Sequence, residues 1–222
     1  MATEYTYKLD DFLKDQLPEL PGVSRSVALK ELRLTLREFF EKSFAWVETV
    51  KDVALVTGET PIQVSDGDSN TEVIGILHVA LGDSSGYRDL VPLPKRPIDE
   101  DTTDNDPDYW YITSNPDEFC LYPYMNNASS KDLTVLVALM PAFTVDANTA
   151  TLPRQIMSKY YDAIEEGFLA RMYQHPNKPY SAPVLAQQKR HNFLRAIGYY
   201  AGQRKQGYNG APDWRYPRGW SN

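Results

Sequence analysis

The spacing of apolar residues along this chain changes twice. In SRSVALKELRLTLREFFEKSFAW, residues 24–46, Leu29, Leu32, Leu36, Phe39, Phe40 and Phe44 recur every three or four positions among Lys, Arg and Glu. That is the period of a helix with one buried stripe. It predicts a helix of about five turns, opened by Ser24 or Ser26 as its cap. Upstream, LDDFLKDQLPEL predicts a shorter helix ended by Pro18 and Pro21.

From about Thr49 the runs become short, β-branched and separated by turn residues. TEVIGILHVAL, then GDSSG, then YRDLVPL predicts a hairpin with a five-residue loop. YWYITS and EFCLYPY flank NPD, and LTVLVALMP is the most β-branched run. These strands predict one antiparallel sheet or a small sandwich, with a strand order the sequence does not fix.

Helical spacing returns at Pro153. PRQIMSKYYDAIEEGFLARMYQHP puts Met157, Tyr160, Tyr161, Ile164, Phe168 and Met172 on one face. After NKPYSAP, the segment PVLAQQKRHNFLRAIGYYAGQRK presents Leu185, Phe193, Ile197, Tyr200 and Ala201. The short connection permits an antiparallel helical hairpin, against which the first long helix would pack. The expected fold class is therefore α+β: a helical bundle from the N- and C-terminal helices, an inserted antiparallel β-sheet or small β-sandwich, and an extended C-terminal tail. The expected divisions are residues 1–48 for the N-terminal helices, 49–150 for the β domain, 151–206 for the helical hairpin and 207–222 for the tail.

Composition narrows the class. Of 222 residues, 42% are hydrophobic and 24% charged, values of a globular chain rather than a disordered one. The single cysteine, Cys120, cannot form an internal disulfide framework or a cysteine-based metal cluster, and reads as a small buried hydrophobe. The start of the chain has neither the basic lead nor the apolar core of a signal peptide. No run approaches the ~18–20 apolar residues of a membrane span, so the expectation is a soluble protein made in the cytoplasm. Net charge is −7, unevenly spread: eleven Lys/Arg against four Asp/Glu from Pro153 onward, but twelve against twenty-six before it. The later cations are spaced along helices rather than gathered in a stripe, which argues against DNA binding as the primary function.

Candidate chemistry is sparse. His78, His175 and His191 sit in unrelated segments, and HExxH, GxSxG, GxxxxGK[ST] and GxGxxG are all missing. Glu165 and Glu166 are helix neighbours, so they diverge by about 100° and do not suit a shared carboxylate site. IDEDTTDNDPD places six acids between Asp99 and Asp108. It lacks the glycine and terminal glutamate of an EF-hand loop, so a solvated, self-repelling loop is expected. No enzyme activity, cofactor or metal is expected.

The last sixteen residues, GYNGAPDWRYPRGWSN, combine Tyr208, Trp214, Tyr216 and Trp220 with Arg215 and Arg218, while Gly and Pro preclude a helix or strand. The entropy of ordering such a segment matches or exceeds what its four aromatics return by burial. It would order only in a preformed groove, so two readings stand: a solvated terminal extension, or an anchor for another chain with those six residues as its candidate contacts.

Four stretches together resemble a known family: ALKELRLTLREFFEKSFAW, YWYITSNPDEFCLYPYM, LTVLVALMPA, and LPRQIMSKYYDAIEEGFLARMYQHPNKPYSAPVLAQQKRHNFLRAI. Their order is similar to that in the head-to-tail adaptors of short-tailed bacteriophages (podoviruses), the group that includes tail tubular protein A. The match runs through Arg37 to Phe39, Trp46, Leu121 to Pro123, Ala138 to Pro141, Leu152 to Pro153 and Pro176 to Pro179, within about residues 25–200. The acidic loop and the aromatic tail lie outside it.

The resemblance implies a non-enzymatic virion component of the tail at the portal vertex, a head-tail connector assembled in the host cytoplasm. Such an adaptor forms a ring with itself, usually of twelve copies, joins the portal protein to the tail nozzle protein and often to tail fibres, and lets genomic DNA pass through its lumen without specific binding. Tyr208, Trp214, Arg215, Tyr216, Arg218 and Trp220 would then be portal-binding residues. The alternative is a non-viral binding module with a helical scaffold and a β insertion.

Overall fold

The computed structural model describes residues 6–58, 60–83, 86–96, 106–124, 131–142 and 151–206. In chain order the elements are β1 (Thr6–Lys8), α1 (Leu9–Gln16), a 3₁₀ turn (Leu17–Glu19), α2 (Arg25–Ser43), β2 (Val47–Ala54), β3 (Ile62–Gln63) and β4 (Thr71–Asp83). They continue with β5 (Gly86–Asp89), β6 (Val91–Pro92), β7 (Tyr109–Ile112), β8 (Glu118–Tyr122), β9 (Asp132–Pro141), β10 (Thr151–Pro153), α3 (Arg154–Tyr173) and α4 (Pro183–Gln206). The fold is α+β. The described residues divide into two compact units: a helical unit holding Asp10–Ala45 and residues 153–206, and a β unit holding Thr6–Leu9 and the described part of Trp46–Leu152.

In the helical unit α3 packs along α4, and α2 packs against both. The stripe of α2 is buried at Leu29, Leu32, Leu36, Phe39 and Phe40. Phe39 is the hub of an aromatic core, with ring centroids 5.3 Å from Tyr160, 5.9 Å from Tyr200 and 6.2 Å from Phe193. A second group forms where Phe12 of α1 meets Phe168 and Tyr161 of α3 at 5.6 and 5.2 Å. Gly167 makes the close approach of α3 possible: a Cβ there would lie 2.6 Å from the Phe193 ring and 2.7 Å from Thr35 Cγ2.

Local departures have local causes. Ser24 stands at the N-cap of α2, but its hydroxyl meets Ser26 rather than a backbone amide. Phe44 leaves the stripe because it is the C-cap, left-handed at φ 48°, its N–H donating to the Phe40 carbonyl. α1 stops at Gln16, as Pro18 requires. In α4 the inner positions are Ala186, Phe193 and Ile197. Leu185, expected on that face, is 48% exposed; it stands a quarter-turn or more from the line through those three.

The β unit contains two four-stranded sheets, ordered β2-β9-β4-β5 and β3-β8-β7-β6, and β1 pairs with β10. β9 is central in the first sheet and buried at Leu133, Val135, Val137, Ala138 and Leu139, as its near-continuous apolar run demands. The hairpin β4–β5 pairs as far as Asp83 and Gly86, so the connection is shorter than the five residues expected. Tyr87 lies over Gly82, where a Cβ would meet its ring at 2.7 Å; the missing side chain seats the ring. β7 and β8 form the hairpin expected around NPD.

β6, by contrast, runs parallel to β7, a correction to the wholly antiparallel expectation. The chain from Leu93 to Asp108 between them is long enough for the return that a parallel pair requires. At the free edge of the first sheet, β2 slips register against β9 between Val50 and Val53, with Asp52 left-handed at φ 57°.

Candidate functional site

The residues with catalytic chemistry do not converge. His78 Nε2 lies 3.0 Å from Asp89 Oδ1 in the β unit, on an exposed surface. His175, in the helical unit, holds Tyr180 Oη at 3.2 Å from Nδ1 and Glu31 at 3.5 Å from Nε2. His191 is exposed on α4. Glu166 accepts from Lys189 at 2.6 Å and Asn192 at 3.0 Å, tying α3 to α4. Cys120 is buried, and burial pushes its thiol up, away from the reactive thiolate. Burial and the neighbouring Tyr124 hydroxyl, 3.2 Å away, raise the Tyr111 phenol strongly. Among the described residues no group of three or more His, Cys, Asp or Glu could hold a metal ion, and no helix is long and apolar enough to cross a membrane.

The strongest electrostatic feature is structural. Glu38 of α2, its side chain 12% exposed, accepts from Arg190 of α4 at 2.8 and 2.5 Å, from Arg171 of α3 at 2.8 Å and from Lys42 at 2.7 Å. The Arg190 hydrogen bonds, with those from Lys42 and Arg171, lower its pKa from 4.5 to about 2 against the opposing effect of burial. One carboxylate thus clips three helices together.

Among the described residues, eight of the ten exposed large apolar side chains lie on two stretches of chain: Val184, Leu185, Leu194 and Tyr199 on α4, and Tyr87, Val91, Tyr109 and Ile112 on β5 to β7. They do not form one stripe in either place, because Leu185 and Leu194 stand on opposite sides of α4 and Tyr109 and Ile112 on opposite faces of β7. α4 has five Lys/Arg and no Asp or Glu. Asp89 and Asp108, whose side chains are 79% and 59% exposed, pair with His78 and Arg88. The spacing rule looked for one apolar stripe per element, and so missed these exposed side chains. The available signals were the apolar residues of α4 outside its stripe, and its lack of acids.

The six candidate tail anchors, Tyr208, Trp214, Arg215, Tyr216, Arg218 and Trp220, lie outside the described residues, as does the acidic run from 99 to 105. The end of that run is not left to self-repulsion. Asp106 pairs with Lys131, and Asp108 accepts from Arg88 at 2.7 Å, while Arg88 also reaches the Pro107 carbonyl.

Comparison with known proteins bears on these surfaces. The sequence model of the SU10 adaptor protein family matches residues 7–215, which takes in both units and the start of the tail. No curated protein matches the chain.

Proposed function

Because the chain belongs to the SU10 adaptor protein family, a family of phage head-tail adaptors, we propose that it forms a ring, twelve copies round, that joins the portal protein to the tail nozzle of a short-tailed phage and lines part of the DNA ejection channel. The family match over residues 7–215 carries this reading. It is supported by a fold that spends its buried charges on clipping helices together, as at Glu38, and leaves apolar surface outside.

In this arrangement the C-terminal segment docks in a groove between portal subunits. Trp214, Tyr216 and Trp220 supply burial, and Arg215 and Arg218 pair with portal carboxylates. The β unit meets the nozzle or fibres, and the helical unit faces the portal. A twelve-copy ring carries about −84 in total, and like-signed walls favour sliding of DNA over adhesion.

Electron microscopy of the protein mixed with portal rings tests the reading: a second ring stacked on the portal is expected. A chain ending at Gln206 should fold and fail to join portal-capped heads. Normal joining by that truncated chain would remove the tail from the account, and failure of the full chain to bind portal would overturn the adaptor role.

A further inference from the structure

The side chains that hold α4 to its neighbours stop at Tyr200. Ala186, Phe193 and Ile197 are buried. Lys189 and Asn192 reach Glu166, and Arg190 reaches Glu38. The Tyr200 ring packs 4.8 Å from Tyr160 and 5.9 Å from Phe39, centroid to centroid. Past that ring the helix runs on to Gln206, but no residue from 201 to 204 is fully buried, and none makes a side-chain hydrogen bond or ion pair with another element. Gln203 turns back to the Tyr199 hydroxyl at 2.6 Å, within the same helix.

Two independent features weaken this last turn. Gly198 and Gly202 stand four positions apart, so in helical geometry the Gly202 N–H donates to the Gly198 carbonyl. A Cβ at either glycine would meet nothing within 4 Å, and the bond between them has no side chain at either end to screen it from water. Neither glycine answers a close approach, as Gly167 does for Phe193 and Thr35. Relative to alanine, each moves the balance between helix and coil about four- to fivefold toward coil. The second feature is Arg204, whose Nε is shut off from water with no acceptor in the helical form. An unmatched buried donor costs stability, and unwinding the turn returns it to solvent.

We infer that residues 202–206 are a stem that exchanges between helix and extended chain, breaking at the Gly198–Gly202 hydrogen bond, while α4 stays fixed as far as Tyr200. The stem rises about 7.5 Å as helix and spans up to roughly 17 Å when extended, so the exchange changes the reach of the chain beyond Gln206 by about 9 Å. Tyr200 confines the change: its ring is held by Phe39 and Tyr160, so unwinding that starts at the end of the helix halts there. The exchange needs no partner. That it sets the reach of the candidate anchors from Tyr208 to Trp220 rests on the adaptor reading.

Amide hydrogen exchange on the full-length chain tests this. Corrected for intrinsic rates, the amides of residues 202–206 should exchange about a hundredfold or more faster than those of Phe193, Ile197 and Tyr200. A chain carrying both Gly198→Ala and Gly202→Ala meets open space at each site, and its 203–206 amides should slow about ten- to twentyfold. Gly202→Pro removes the hydrogen bond at the break outright, and should move the melting temperature of the helical signal by no more than about 2 °C. Equal protection of 202–206 and 193–200, no slowing in the double variant, or a larger loss of melting temperature with proline would overturn the inference. Joining to portal is scored separately on the native chain: fast exchange without joining keeps the stem and sinks the adaptor, and joining with a protected last turn does the reverse.

Discussion

The helical unit and the β unit solve the same problem of stability with different materials. Among the described residues the helical unit carries fifteen Lys/Arg and ten Asp/Glu, the β unit six and twelve. In the first, opposite charges meet across long stretches of sequence: Glu38 binds Arg171 and Arg190 from 133 and 152 positions away. In the second, the described pairs are shorter in span, as with Asp106–Lys131 and Arg88–Asp108, and acids outnumber cations. The helical unit ties charges together across its helices, and the β unit carries a surplus of one sign.

That contrast can be broken most forcibly at Phe39. Phe39→Ala removes the ring shared by Tyr160, Phe193 and Tyr200, and should cost about 3–5 kcal/mol. The helical signal at 222 nm should then melt well below the fluorescence of Trp46 and Trp110, both in the β unit, in a chain whose Trp214 and Trp220 are replaced by Phe. Coincident melting would mean that the two units unfold as one.

Glu38→Gln is next, with an expected loss on the order of 3 kcal/mol, because two half-buried guanidinium groups lose their carboxylate. The pH dependence has a definite sign. Folding lowers the Glu38 pKa from 4.5 to about 2, so its contribution is complete above about pH 4.5 and drains away as pH falls toward 2. Denaturant melts between pH 6 and 2 should show a steeper acid loss in the native chain than in Glu38→Gln. Parallel curves would assign the acid sensitivity to the β unit instead.

In the β unit, Tyr111→Phe removes one buried hydroxyl from the Tyr111–Tyr124 pair and should cost about 1 kcal/mol, read by tryptophan fluorescence. The smallest change has the opposite sign. Gly198→Ala meets open space and should raise the helical melting point, by roughly 0.5–1 kcal/mol of stability, whereas Gly167→Ala, forced against Phe193 and Thr35, should lower it. Equal effects at the two glycines would deny that one is internal and the other outward.

The long helices were legible because their periodicity is repeated over many turns: Leu29 to Phe40 and Met157 to Met172 point inward as spaced. The hairpin around NPD and the buried strand from Leu133 were legible from β-branching and turn residues. β1, β3 and β10 were not, because two or three residues carry no period and owe their pairing to the sheet they join; β6 lies in the run YRDLVPL, but its break from β5 was not foreseen. The parallel placement of β6 is a tertiary choice of the same kind. The Glu38 cluster was hidden because its partners lie on different helices and any of several arginines fits the sequence. Leu185 was misassigned because a helix with apolar residues on two sides offers two stripes, and only packing decides which is core. The tail anchors were named from entropy alone, and they stand as a proposal.

The register slip in β2, with Asp52 turned left-handed, has a consequence for how these molecules keep company before they are needed. An uninterrupted eight-residue border strand would offer a template for any stray strand. The kink spoils that template, so this border is a poor seat for a stray strand.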